Sequence, residues 1–435
     1  MTRKRINVGL IGLGTVGGGV ARLLLEQQRR LSDYLGAELT LARAADRDPA
    51  LAQGLDLPAG VLVADGAAVV ADPQVDIVVE LIGGLEPARA FVLAAIAGGK
   101  HVATANKALL AHHGREIFLA ARQKGVGVAF EASVGGGIPL IRSLREGLAA
   151  NDISHCLGIL NGTCNFILSK MTAEGAAYAD VLAQAQQEGY AEADPTFDVA
   201  GTDTAHKLAI IAALVTGRQP ELNDISTEGI TKIAPLDIQL AGEFGFKVKL
   251  LAVLRKVGQA VELRVHPTLV PLGHPMASVD GPFNALFVEG DWVGEVLLYG
   301  RGAGRRPTAS AVVGDVLDLA RDVLCGCPGR VPPLGSAAEP EGPLALAPLD
   351  QTVCKYYFRF AAQDKPGVLA AISAVLAEHR ISIEAVIQKG REEAGPVPIV
   401  MLTHEANEAA VQRALARINA LPFIAEDTMF IRVAG

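Results

Sequence analysis

The stretch INVGLIGLGTVGGGVARLLLE, Ile6–Glu26, decides the fold. A short apolar run, Ile6–Ile11, meets a glycine-punctuated turn, Gly12-Leu-Gly14-Thr15-Val16-Gly17, and a helical pattern takes over from Val16 to about Gln28. A strand that turns sharply into a helix on a G-x-G-x-x-G spacing suits a pyrophosphate. The glycines permit the tight turn, the approach of the phosphates to the backbone and the close packing of helix on strand. The free N–H groups of the helix start, and the positive end of its dipole, then face the anion. Gly12, Gly14, Thr15, Val16 and Gly17 are therefore expected to hold a dinucleotide.

The pattern continues outward from this unit. Leu39–Asp46 and Val75–Gly83 read as further strands, the second bounded by Asp72-Pro73; a helix over Phe91–Ala97, the run KHVATA, another helix and the strand-like VGVAFEASV follow. Strands alternating with helices, each nearly continuous in Val, Ile and Leu, predict a parallel sheet covered on both faces. The expected plan is α/β: a Rossmann-type nucleotide-binding domain over residues 1–134, completed by 305–326 through a helix at Ala309–Val323. After GGGIP the texture changes. Strands at Lys247–Lys256 and Ala260–Val270 predict a mixed sheet in an α+β substrate-binding and dimerisation domain, residues 135–304. Residues 327–350 are rich in proline and glycine and read as a linker. Residues 351–435 run β-α-β-β-α-β, the ferredoxin-like order, in a third domain.

Composition narrows the function class. The chain has 435 residues, half of them hydrophobic and 20% charged, with 47 glycines and a net charge of −8. That profile fits a compact α/β enzyme and argues against nucleic-acid or anionic-membrane partners. The basic, apolar start imitates a signal peptide, but glycines interrupt it and no cleavage signature follows. No apolar run reaches the length of a membrane span, so a cytoplasmic protein is expected. The five cysteines are scattered, and Cys325-Gly-Cys327 lacks the spacing of a zinc site, so they read as free thiols. The adjacent His112 and His113 fall on divergent helix faces and make a poor metal site.

Two stretches carry the chemistry. In VATANKALLA, Lys107 follows Asn106 at a predicted helix start on the carboxyl edge of the sheet, where the helix dipole disfavours a cation. In GYAEADPTFDVAGTDTAHK, Gly189–Lys207, Glu192, Asp194, Asp198 and Asp203 crowd toward Lys207. Asp203 and Lys207 are spaced i, i+4 on one helical face; alone, that spacing describes an exposed ion pair contributing about 0.3–0.5 kcal/mol. Asp194-Pro195 is a turn signal. Asn161, Gly162 and Thr163 precede a helix and could offer backbone N–H groups to an anion, while Cys164 reads as packing. For the dinucleotide, Asp46 suits the ribose 2′-hydroxyl of NAD, whereas Arg43 and Arg47 suit the 2′-phosphate of NADP. Both signals are present, with the arginines tilting the reading to NADP.

GLGTVG, TANKALLA, FEASVGGGIP, LNGTCNFIL and GYAEADPTFDVAGTDTAHKLAI, in this order and spacing, resemble the homoserine dehydrogenases over roughly residues 5–325. DKPGVLAAISAVLAEHRISI resembles an ACT domain, an amino-acid-sensing module. The resemblance implies reversible NAD(P)H-dependent reduction of L-aspartate 4-semialdehyde to L-homoserine, on the route to threonine, methionine and isoleucine. It implies catalytic roles for Lys207, Lys107 and Asp203 and substrate contacts from Glu192, Asp203 and Lys107, to which the helix start at Asn161, Gly162 and Thr163 could add N–H groups for the α-carboxylate. Lys107, Gly189, Gly302 and Gly304 would approach the cofactor. Glu131 with the carbonyls of Val134, Gly136 and Ile138 matches a monovalent-cation site, usually sodium. The ACT resemblance implies a homodimer or homotetramer, with an amino-acid effector such as threonine near Asp364 and Gly367. The competing readings are a dehydrogenase for a related amino-acid aldehyde and an ACT-linked nucleotide sensor without turnover.

Overall fold

The computed structural model describes residues 4–337, 342–388 and 396–434. The part of the linker reading at Ala338–Glu341, and residues 389–395 within the expected β-α-β-β-α-β run, lie outside the described residues. The chain divides into two units, one of residues 1–162, 203–225 and 282–344, the other of residues 163–202, 226–281 and 345–435.

The first unit holds a six-stranded parallel sheet: β1 Arg5–Ile11, β2 Glu38–Ala45, β3 Leu62–Val63, β4 Ile77–Glu80, β5 His101–Thr104 and β6 Val128–Ala129. Their order is β3-β2-β1-β4-β5-β6. Every residue of β4 and β5 is buried, as expected of strands covered on both faces. The helix Arg305–Cys325 joins this unit from late in the chain. Its Val312, Val316 and Ala320 share one apolar cluster with Leu10 of β1 and with Val20 and Leu24 of the helix Thr15–Glu26. Strand order reverses between β1 and β4, so their carboxyl ends open the crevice where sheets of this type bind ligands. Ile153–Ile159, Phe283–Gly290 and Gly294–Arg301 pair antiparallel elsewhere in the same unit.

The second unit is built on a mixed sheet. Phe246–Val257 and Ala260–Pro271 form a long antiparallel pair in register from Phe246↔Pro271 to Val257↔Ala260. Met429–Val433 adds parallel to Ala260–Pro271, and Tyr356–Gln363, Pro396–Thr403 and Ile383–Gln388 continue the sheet antiparallel. The helices Val368–Glu378 and Glu408–Asn419 complete the β-α-β-β-α-β order and cover a core of Tyr356, Phe358, Phe360, Ile399 and Met401.

Two local expectations need correction. In VGVAFEASV only Val128–Ala129 is a strand; Glu131–Ser133 forms a tight helical turn because the Glu131 N–H donates to Asp315 (2.8 Å) and its carboxylate turns to other backbone donors. The proline-rich linker is not structureless throughout. Val261 donates to the carbonyl of Ala345 (2.9 Å) and accepts from the N–H of Ala347 (2.9 Å), which bridges Leu346 to the Ala260–Pro271 strand.

Candidate active site

The glycine turn is fixed from three sides. Gly12 has φ +98°, a conformation L side chains rarely adopt, and a Cβ there would lie 2.8 Å from the Leu81 backbone. A Cβ on Gly17 would lie 1.9 Å from the Gly12 carbonyl oxygen, so a side chain at either position would force the turn open. Asp46 braces the turn from just past β2, its carboxylate accepting the Leu13 N–H at 2.6 Å. Thr15 and Val16 open the helix behind it, and Gly14 is its N-cap.

Of the two arginines expected near the cofactor, Arg43 is held by Asp72, with Nε 2.8 Å from the carboxylate. Arg47 lies exposed just past β2, with no hydrogen bond or ion pair among the described residues.

The carboxyl edge of β4 and β5 is organised by a buried carboxyl group. Glu80 accepts from the Ile82 N–H (2.9 Å) and the Thr104 hydroxyl (2.7 Å), and burial raises its pKa against those donors. The Thr104 hydroxyl in turn accepts the Asn106 N–H (3.0 Å). Asn106 caps the helix Lys107–Lys124 by accepting the Leu109 N–H (3.0 Å), and its amide donates to the Gly84 carbonyl (2.7 Å). This chain places Lys107 at the first helical position, where the dipole opposes its charge.

Asp203 resolves that misfit. It stands in the first turn of the helix Thr202–Thr216 and is 1% exposed. Lys107 Nζ lies 2.5 Å from its Oδ1, and Lys207 Nζ lies 2.6 Å from its Oδ2. The Asn161 amide donates to Oδ2 as well (2.9 Å). Lys207 also donates to the Leu160 carbonyl (2.6 Å), which accepts from the Asn284 amide at 2.9 Å. Burial opposes the charge on Asp203 most strongly. The ammonium groups of Lys207 and Lys107 nevertheless hold its carboxyl well below the usual carboxylate range. His206, one residue before Lys207, packs edge-on against His112, with ring centroids 5.4 Å apart. Burial, with His112 and Lys107 nearby, lowers His206 to about 4.

The structure thus brings Lys107, Asn161, Asp203 and Lys207 into one cluster. Asn284, Asn106, Thr104 and Glu80 support it. Sequence alone offered no signal for Asn284, and Asn106 carried only its place before a helix.

The other expected residues are described by the elements that carry them. Gly162 and Thr163 begin the helix Gly162–Glu174 rather than precede it. The Thr163 hydroxyl is engaged with the Tyr190 carbonyl (2.7 Å) and Asp198 (3.1 Å), so within the second unit Asp198 anchors the 189–198 loop. Asp194 closes its own turn, accepting the Thr196 N–H at 3.1 Å. Cys164 is fully buried. Gly189, at φ +78°, and Glu192 are exposed on this loop, and the Glu192 carboxylate makes no hydrogen bond among the described residues. Gly302 and Gly304 lie in the turn before the helix Arg305–Cys325, with Gly304 at its N-cap. In the second unit, Asp364 is exposed and Gly367, φ +92°, is the N-cap of Val368–Glu378.

At the expected cation site, both Glu131 oxygens already accept backbone N–H groups, from Ile141 (2.8 Å) and Arg142 (2.9 Å). Burial raises its pKa. A cation there would rely on the carbonyls of Val134, Gly136 and Ile138, hard oxygen donors that suit sodium. The Ile138 carbonyl already accepts the Leu140 N–H (2.7 Å). Among the described residues no group of three His, Cys, Asp or Glu could hold a metal ion, and no helix is long and apolar enough to cross a membrane.

Comparison with known proteins identifies the family of the chain. Residues 12–131 match the family model described as homoserine dehydrogenase, NAD binding domain; residues 139–317 match homoserine dehydrogenase, and residues 356–423 match the ACT domain. The chain is 47% identical to the homoserine dehydrogenase of Neisseria gonorrhoeae over 430 residues, 99% of each protein, and 46% identical to that of Pseudomonas aeruginosa over 431. A crystal structure of a homoserine dehydrogenase from Thiobacillus denitrificans superposes with a TM-score of 0.92 at 48% identity, covering 100% of this chain and 99% of that one. A hyperthermophilic archaeal homoserine dehydrogenase in complex with NADPH matches 72% of this chain and 97% of its own, with a TM-score of 0.62 at 28% identity. The chain belongs to the homoserine dehydrogenase family of NAD(P)-dependent oxidoreductases and carries a C-terminal ACT domain.

Proposed function

We propose that the Lys107–Asp203–Lys207 cluster is the proton-handling centre for the interconversion of L-aspartate 4-semialdehyde and L-homoserine. One observation carries the reading: two ammonium groups share a single buried carboxylate at 2.5 and 2.6 Å. When bound, the nicotinamide supplies the hydride for reduction of the aldehyde and accepts it in the reverse direction. As negative charge grows on the carbonyl oxygen, a preorganised cation in a site of low dielectric stabilises it, and a positioned acid delivers the proton. Lys207 is assigned the proton, since it is the more buried of the two and is held from both sides by Asp203 and the Leu160 carbonyl. Lys107 adds positive charge facing the developing alkoxide. Asp203 keeps both lysines in place. Glu192 and Asn161 are assigned to the polar groups of the amino acid.

The glycine turn supports a dinucleotide at Gly12, Gly14, Thr15, Val16 and Gly17, with Gly189, Gly302 and Gly304 nearby in role. The uncommitted Arg47 favours NADP over NAD, whereas Arg43 is spoken for by Asp72. Sodium is assigned to the Glu131–Ile138 loop in a structural role. Self-association is supported by the edge strand Gly294–Arg301 and its turn, which expose Trp292, Val293, Leu297 and Tyr299. An amino acid such as threonine is assigned to the ACT domain near Asp364 and Gly367.

The test is oxidation of NADPH and NADH with aspartate 4-semialdehyde, with and without threonine. Turnover with NADPH that threonine depresses supports the whole reading. Absence of turnover with either nucleotide overturns the assignment of the lysine cluster, and indifference to threonine overturns that of the effector.

A further inference from the structure

The last strand of the ACT domain, Met429–Val433, carries a buried arginine. Arg432 is 2% exposed and donates twice to Glu408, Nε at 2.9 Å and Nη2 at 2.8 Å. Glu408 is otherwise saturated, accepting from the Tyr356 hydroxyl (2.7 Å) and the Gln412 amide (2.8 Å). Arg432 spends its remaining terminal nitrogen outside the ACT fold: Nη1 donates to Glu228 at 2.9 Å.

Glu228 follows the two-residue strand Ser226–Thr227, which pairs with Ala260–Pro271, and its N–H donates to the Val265 carbonyl at 2.7 Å. Gly229 comes next, where a Cβ would lie 2.2 Å from the Val199 carbonyl oxygen and 2.7 Å from the Ala200 Cα. The N–H of Ile230 donates to that same Val199 carbonyl at 2.9 Å. Val199 to Gly201 is the turn from which the helix Thr202–Thr216 starts, and that helix bears Asp203 and Lys207.

Resting on the proposed roles of Asp203 and Lys207, we infer that Glu228 and Arg432 are positioning residues for the reaction, through which the ACT domain fixes the turn that starts the helix bearing them. Each link is a direct contact with no slack. The guanidinium is locked by Glu408, Glu228 is locked by the guanidinium, and the segment after Glu228 lies against Val199 too closely for any side chain at position 229. Asp203 bonds with both lysines at distances where a displacement of a few tenths of an ångström matters, so a loosened helix start acts on turnover. The same route gives a sensor domain access to catalysis: the helix Glu408–Asn419, pinned at Glu408, packs beside Val368–Glu378 and is tied to it by an Arg417–Glu378 ion pair.

The experiment uses the full chain with Glu228→Gln, Glu228→Ala and Arg432→Lys. Steady-state kinetics are read in both directions, alongside amide hydrogen exchange. Glu228→Ala is expected to lower kcat about five-fold while KM for NADPH stays within about two-fold. It should also raise the exchange rate of Ile230 and of the 199–203 amides about ten-fold, with the Phe283–Gly290 strand unchanged. Glu228→Gln, which keeps an acceptor oxygen for Arg432, should recover part of both effects. Wild-type kcat with unchanged Ile230 protection overturns the inference. So does a loss of kcat that tracks a general fall in protection and melting temperature, the signature of a merely structural ion pair. If Arg432→Lys fails to fold, the two Glu228 variants decide the matter alone, since that side chain is 41% exposed and its loss leaves no buried charge on its own side.

Discussion

Lys107 and Lys207 grip opposite oxygens of one carboxylate: their Nζ atoms lie 2.5 Å and 2.6 Å from Oδ1 and Oδ2 of Asp203. Two like charges at such proximity repel unless a counter-charge lies between them, and burial makes that counter-charge indispensable. Asp203 is therefore ionised throughout the working pH range, its pKa held down by the lysines against the cost of burial.

Lys207→Ala should lower kcat by about 10²–10⁴-fold, the usual worth of a positioned acid. The dissociation constant of NADPH, measured by fluorescence titration, should stay within a few-fold, because the glycine turn is untouched. Asp203→Asn should be comparably damaging, since it removes the charge that lets the lysines sit together. A Lys207→Ala enzyme with near-normal turnover would transfer the proton role to Lys107.

On the proposed NADP reading, cofactor preference is expected to turn on Arg47. The 2′-phosphate of NADP needs a cation without another obligation, and Arg43 has one in Asp72. Arg47→Gln should raise KM for NADPH about ten- to hundred-fold and leave KM for NADH nearly unchanged, as expected for one charge-assisted contact of about 1.5–3 kcal/mol. Equal effects on both nucleotides would mean that Arg47 does not read the phosphate.

These residues also mark how far the sequence could be read. The glycine turn was legible because its spacing is local and Gly12 and Gly17 each have a backbone reason. The Asp203–Lys207 pair was legible as a pair, but its burial and its sharing with Lys107 depend on a fold that brings distant helices together. Asn284 donates to the Leu160 carbonyl from 124 residues away, and nothing in its neighbourhood marks it. The apolar run around Glu131 reads as strand, whereas its N–H is claimed by Asp315, 184 residues on. Proline content masked the Leu346 bridge, since composition reports average stiffness and not a single pairing.

His206 gives the enzyme an acid limb. Its pKa is lowered to about 4 in the folded chain, against an ordinary value near 6.5, so the unfolded chain binds the extra proton first. The neutral ring's contribution is complete above about pH 6.5 and is lost as pH falls toward 4, a change of order 3 kcal/mol. Protonation there also adds a cation beside Lys107 and His112. Melting temperature measured from pH 7.5 to 4.5 should fall for the wild type, and His206→Asn should flatten that fall. An unchanged slope would place the acid sensitivity elsewhere.

Asp315 makes the opposite prediction. It is buried beside Glu131, and burial together with that neighbouring carboxylate holds its pKa well above the ordinary carboxylate range. Glu131 is raised as well, mainly by burial. A raised acid pKa means that the folded state holds the proton more tightly, so stability is greatest at low pH and declines as pH rises through the folded value. Asp315→Asn keeps an acceptor for the Glu131 N–H while removing one ionisable group. The variant should therefore melt about 2–4 °C above the wild type at pH 8, for each kcal/mol of relieved charge, and show no advantage near pH 4.5. A lower melting temperature at pH 8 would mean that the ionised pair is compensated there, as a bound cation at the Glu131–Ile138 loop would do. Repeating the melts with sodium replaced by choline separates the two cases, because only a cation-compensated pair loses stability when sodium is withdrawn.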